Sequence, residues 1–124
     1  MEGFEMTNEK KLDIRNIQSR VWLEVDLDIL EQNFKRISDA VKPLKVMAVL
    51  KANAYGLGVM PIAERLLKAG ADGFCVAELR EAIQLKPFGK PIQILGGLFD
   101  FELEEAVKNG FILGITDYDT AKKI

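Results

Sequence analysis

Apolar residues in this chain gather into five short runs, spaced by amphipathic stretches. Residues 46–50 (VMAVL) are uninterrupted, as expected of a strand buried on both faces. Residues 73–77 (GFCVA), 91–95 (PIQIL) and 111–115 (FILGI) have the same character. Residues 21–27 (VWLEVDL) alternate in part and are rich in β-formers, so they too predict a strand.

The intervening segments have helical spacing. Asp28, with Glu31 three residues on, predicts a capped helix whose Leu30, Phe34, Ile37 and Val41 share one face and which Pro43 stops. Residues 59–69 predict a second helix, with Ile62, Ala63, Leu66 and Leu67 inward, a Glu64–Lys68 pair outside and Gly70 as the stop. Residues 78–86 place Leu79, Ala82 and Ile83 inward, ahead of Pro87. Residues 101–109, capped by Asp100 and ended by Gly110, turn Leu103, Ala106 and Val107 inward. Thr116 or Asp117 can start a last helix over 118–124.

Strand and helix alternate with a period of roughly 20–27 residues, which implies parallel strands, right-handed crossovers and helices outside. The expected class is α/β: a partial (β/α)8, TIM-type barrel of about four βα units, preceded by a strand and a helix. Residues 1–19 are polar and mixed in charge and are expected to be a flexible tail; residues 20–124 are expected to be one domain.

Composition narrows the chemistry. The 124 residues hold no histidine and one cysteine, Cys75. That removes imidazole bases, internal disulfides and the usual zinc sets, so no metal site is expected and a reducing cytoplasm fits. The net charge of −2 gives no electrostatic case for nucleic acid or an anionic membrane. No apolar run approaches the ~20 residues of a membrane-spanning helix.

The run at 46–50 ends abruptly in Lys51, followed by Ala52-Asn53-Ala54-Tyr55-Gly56-Leu57-Gly58. By position alone, such a lysine is more often the first solvated residue of a loop. It also stands where α/β folds place their chemistry, at the carboxyl end of a buried strand. The string Lys-Ala-Asn-Ala-Tyr-Gly after an apolar strand resembles the signature of the alanine racemase family, whose lysine carries pyridoxal 5'-phosphate. The resemblance extends over about residues 20–124. Trp22-Leu23-Glu24-Val25-Asp26-Leu27-Asp28, Gly70-Ala71-Asp72-Gly73-Phe74, Val76-Ala77, Glu81-Ala82 and Ile94-Leu95-Gly96-Gly97 follow in the family's order.

The resemblance implies a small-molecule amino acid substrate, interconversion of L- and D-alanine for peptidoglycan, and a homodimer. Lys51 then holds the cofactor and acts as one of two bases. Tyr55 reaches the cofactor phosphate, while Val49 and Leu95 line its pocket. The family's loop histidine is Leu57 here. The opposite-face tyrosine, the arginine at the pyridine nitrogen and most phosphate contacts belong to later segments of the family. So do the rest of the barrel and the β-rich second domain with which the opening strand pairs. A whole barrel takes ~250 residues, so the chain is expected to be a first-half fragment that does not racemise efficiently alone. The alternatives are a racemase of the same family with other or broader substrates, and a non-catalytic module that binds the cofactor or a partner through a half barrel.

Overall fold

The computed structural model describes residues 20–124. The tail expected at 1–19 lies outside the described residues. Helix α1 (Leu27–Ala40) is followed by strand β1 (Met47–Val49) and the short turn α2 (Lys51–Tyr55). Next come α3 (Val59–Ala69), β2 (Gly73–Val76), α4 (Leu79–Leu85) and a 3-10 turn at Lys86–Phe88. The chain then forms β3 (Ile92–Ile94), α5 (Asp100–Lys108), β4 (Ile112–Leu113) and α6 (Tyr118–Lys123).

The four strands lie in the order β1-β2-β3-β4, each parallel to the next. This is a partial (β/α) barrel, in which each helix carries the chain back for the next parallel strand. Register defines its faces. Val49 pairs with Cys75 and Cys75 with Gln93, while Ala48 pairs with Phe74 and Phe74 with Ile92. The second set points to the helices. Phe74, Val76 and Ile94 there are fully buried and pack with Ile62, Leu66, Ala82 and Leu85. Phe74 meets Phe88 edge-on, ring centroids 5.9 Å apart. The first face is more open: Val49 and Ile112 each keep over a third of their surface in solvent.

Two expectations about the start of the domain are corrected. Residues 21–26 form no strand of the described sheet, and Val21, Trp22 and Leu23 are largely exposed. A β-prone sequence becomes a strand only where a neighbour takes up its backbone groups, and the four-stranded sheet does not extend to this segment. The cap of α1 is Asp26, two residues earlier than expected, whose Oδ1 accepts from Asp28 N and Ile29 N. Asp28 instead joins Glu31 in holding Arg65 of α3. Of the predicted inward face, Phe34 is buried and Leu30 partly so. Ile37 and Val41 stay exposed, since α1 lies against α3 by only part of its length.

The later helices begin and end close to expectation. Gly70 stops α3 at φ 101°, its N–H reaching Leu66 O and Leu67 O; glycine takes this backbone without a Cβ penalty. The Glu64–Lys68 pair is present at 2.7 Å. Ile83 and Val107 are turned outward, and Leu85 takes the buried place in α4. Phe99, not Asp100, is the cap of α5. At the amino ends of the strands, Asp72 Oδ2 accepts from Val46 N at 2.7 Å and ties β1 to β2.

Asp117 starts α6, accepting from Thr120 N at 2.7 Å and from the Thr120 hydroxyl at 2.8 Å. The Thr120 N–H, followed by its hydroxyl, holds the Asp117 carboxyl below the usual aspartate range. A depressed folded pKa stabilises the helix start above that range, and the contribution is lost as pH falls through the lower folded value. The Thr120 amide is expected to lose protection from exchange in strong acid relative to neutral pH. Equal protection at both would contradict the cap.

Candidate active site

The candidate residues lie at the carboxyl edge of the parallel sheet, where open positions follow strands held rigidly by their neighbours. β1 is fixed up to its last step: Leu50 N donates to Cys75 O at 2.8 Å, and the Leu50 side chain is buried. Lys51 is the next residue and is exposed. Among the described residues its Nζ takes part in no ion pair or hydrogen bond, so the amine is unoccupied by a carboxylate.

After Lys51 the backbone reverses its hand. Ala52, Asn53, Ala54 and Tyr55 all have positive φ, between 52° and 58°, so the turn is left-handed. For L-residues this conformation costs about 1–2 kcal/mol each, and apart from glycine only Asn and Asp adopt it routinely. The turn persists because its surroundings fix it at several points. Ala54 N donates to Leu50 O at 2.9 Å, Gly56 N to Ala52 O at 2.8 Å and Gly58 N to Asn53 O at 3.1 Å. The Asn53 side chain accepts from Val59 N at 2.9 Å, which ties the turn to the start of α3. Gly56 closes it at φ 83°. Buried Ala54 is its foothold in the core.

The four site residues expected from the sequence all lie on this edge. Val49 ends β1 on the open face of the sheet and is 40% exposed. Leu95 follows β3, its N–H bonded to Val76 O, and is 47% exposed; alternation places it on the same face as Gln93 and so as Val49. Tyr55, at the end of the turn, is 61% exposed. Beyond Leu95 the chain crosses closely over β2: a Cβ on Gly96 would come 2.4 Å from Ala77 O, so only glycine fits.

Two structural participants went unrecognised in the sequence. Asn53 was part of the motif, but its bond to Val59 N was not foreseen. Glu81 receives the turn from outside: its Oε1 accepts from Ala52 N at 2.5 Å, its Oε2 from Ala77 N at 2.7 Å and Glu78 N at 3.3 Å. The available signal was a glutamate in the first turn of α4, where it completes a capping box with Glu78.

A parallel sheet with helices on one face and a more open face on the other, with an unpaired lysine among the described residues at its carboxyl edge, is the beginning of a TIM-type barrel. Residues 25–124 match the family model described as "Alanine racemase, N-terminal domain", and the chain belongs to the alanine racemase family. It is 41% identical to the alanine racemase of Clostridium tetani over 106 residues, 84% of this chain and 27% of that protein. The solved alanine racemase of Bartonella henselae, which carries covalently bound pyridoxal phosphate, superimposes with a TM-score of 0.74 at 34% identity, over 79% of this chain and 29% of that one. A histidine racemase from Leuconostoc mesenteroides superimposes at 0.72 with 30% identity, over 78% of this chain and 27% of that one. The chain thus spans a little over a quarter of the length of these relatives.

Proposed function

We propose that residues 20–124 form the N-terminal part of the cofactor-binding barrel of a pyridoxal 5'-phosphate-dependent alanine racemase, with Lys51 as the cofactor's point of attachment. The observation that carries this reading is the exposed, unpaired Lys51 amine, fixed by a left-handed turn at the carboxyl edge of β1. The covalently bound cofactor of the Bartonella henselae relative supports it.

The residues present suit the group. A primary amine is the side chain that attaches an aldehyde, and the apolar surfaces of Val49 and Leu95 on the adjoining open face suit an aromatic ring. The phenol of Tyr55 is a hydrogen-bond donor for a phosphate oxygen. When bound, pyridoxal phosphate supplies an electron sink that makes the α-proton of an amino acid removable. Freed when the incoming amino group takes its place on the aldehyde carbon, the Lys51 amine would take or return that proton on one face, with the rigid end of β1 keeping it aimed. Val49 and Leu95 keep water from that face. The base for the other face is proposed to come from beyond these residues, as the family resemblance implies, so this chain alone is not expected to reach a normal racemisation rate.

In this reading the protein supplies D-alanine for peptidoglycan from the cytoplasm and works as a homodimer. No described helix is long and apolar enough to cross a membrane. The histidine racemase among the similar structures favours a second reading, in which the same lysine chemistry serves another amino acid. The test is to add pyridoxal phosphate, reduce with borohydride and map the modified peptide. Modification concentrated on Lys51 is expected. Modification spread evenly over the exposed lysines, or none, overturns the proposal.

A further inference from the structure

We infer that Glu81 is a positioning residue for Lys51, acting through the backbone of the left-handed turn. The inference rests on the proposed role of Lys51 and adds a residue on another element to it. Among the described residues, Glu81 is the one side chain from outside residues 50–59 that hydrogen-bonds the turn's backbone. Its target, Ala52 N, is the first amide after Lys51 and the point where φ becomes positive. The other oxygen of the same carboxylate is held by Ala77 N and Glu78 N at the end of β2. One partly buried carboxylate thus joins the exit of β1 to the exit of β2.

The anchor has a physical purpose. Four successive non-glycine residues at positive φ relax to a right-handed or extended backbone unless something outside the turn opposes it. The bonds from Gly56 N and Gly58 N are internal and travel with the turn, while that from Ala54 N ties it back to Leu50 O at the end of β1. The Asn53–Val59 bond fixes its far end. At the near end Leu50 is held by Cys75 O, and the Glu81 bond is the one side-chain contact among the described residues that reaches the first amide after Lys51. No ion pair links Glu81 to Lys51 among the described residues, and the contact between the two elements runs through the Ala52 N–H.

Glu81 also serves the capping box of α4, and the two roles separate in one variant. Glutamine satisfies a capping box as glutamate does. In Glu81→Gln the remaining oxygen faces the two donors at Ala77 and Glu78, which leaves an NH2 group toward Ala52 N. Loss of a charged acceptor is expected to speed exchange of the Ala52 amide by about 10- to 100-fold, while the Ala82 amide inside α4 stays protected. Glu81→Ala is expected to release both ends.

The experiment measures residue-resolved amide exchange without cofactor, then borohydride-trapped pyridoxyl on Lys51 at a fixed, subsaturating pyridoxal phosphate concentration. Expected in Glu81→Gln are fast exchange at Ala52, unchanged exchange at Ala82 and about tenfold less label on Lys51. Unchanged Ala52 exchange overturns the anchor. Fast exchange with undiminished label on Lys51 overturns the positioning role. If Glu81→Ala fails to fold, Glu81→Gln decides the matter. Absence of Lys51 label in the unsubstituted chain counts against the proposed function itself, while the Ala52 exchange still decides the anchor.

Discussion

Replacing Lys51 by arginine is expected to abolish covalent pyridoxyl labelling at position 51 and to leave folding intact. Arginine keeps the positive charge and most of the length, but its guanidinium is not deprotonated in proteins, so it cannot form the bond that a primary amine forms. The substitution therefore separates attachment from electrostatics. Lys51 makes no side-chain hydrogen bond or ion pair among the described residues, and its neighbour Leu50 holds the strand end independently. Thermal unfolding should accordingly shift little, as for other exposed substitutions. Under the proposed function, D/L interconversion should fall by about 10²–10⁴-fold or more, since the substitution would remove a catalytic base along with the tether. Wild-type labelling of the arginine variant, or wild-type interconversion, would show that the amine is not the attachment point.

The second large effect concerns the opposite face of the same sheet. Phe74→Ala is expected to cost about 3–5 kcal/mol, measured by denaturant unfolding. Phe74 is fully buried in the centre of the helix-facing layer, with its edge contact to Phe88. Its removal leaves a cavity bounded by β-strand backbone on one side and helices on the other, which cannot easily collapse. Because small domains have about 5–15 kcal/mol in total, this loss brings the chain near its unfolding threshold. Leu95→Ala on the open face should cost far less, since nearly half of that side chain is already in water. A Phe74→Ala cost below ~1 kcal/mol, or equal costs at the two positions, would place the core elsewhere.

Much of the architecture was legible because it is local. Each buried strand is a short apolar run, and Gly70 and Asp117 are punctuation whose physics acts within one turn of helix. The parallel sheet followed from the alternation. What failed depended on neighbours. Residues 21–27 carry the composition of a strand but pair with none of the four in the sheet. Ile37, Val41, Ile83 and Val107 sit at apolar spacing yet face outward, because a helix with few neighbours buries a narrower stripe than its pattern offers.

The candidate site was legible in kind more than in geometry. Lys51 and Tyr55 were singled out by their motif, and Val49 and Leu95 by the family's pattern, and the fold sets all four at the carboxyl edge of the sheet. The hand of the turn was not legible. Nothing in Ala-Asn-Ala-Tyr demands positive φ, and only Asn53 and the following Gly56 hint at it. The Glu81 bond spans 29 residues and joins two βα units, which sequence periodicity does not report.

The left-handed turn has one further meaning. Its dihedral angles are the mirror image of those preferred by ordinary residues, and so are those that enantiomeric amino acids favour. At exposed Ala52, a D-alanine introduced by chemical synthesis would meet backbone angles that are natural to it. A chain from a family named for interconverting the two forms of alanine thus holds, beside Lys51, a backbone position suited to the unusual one.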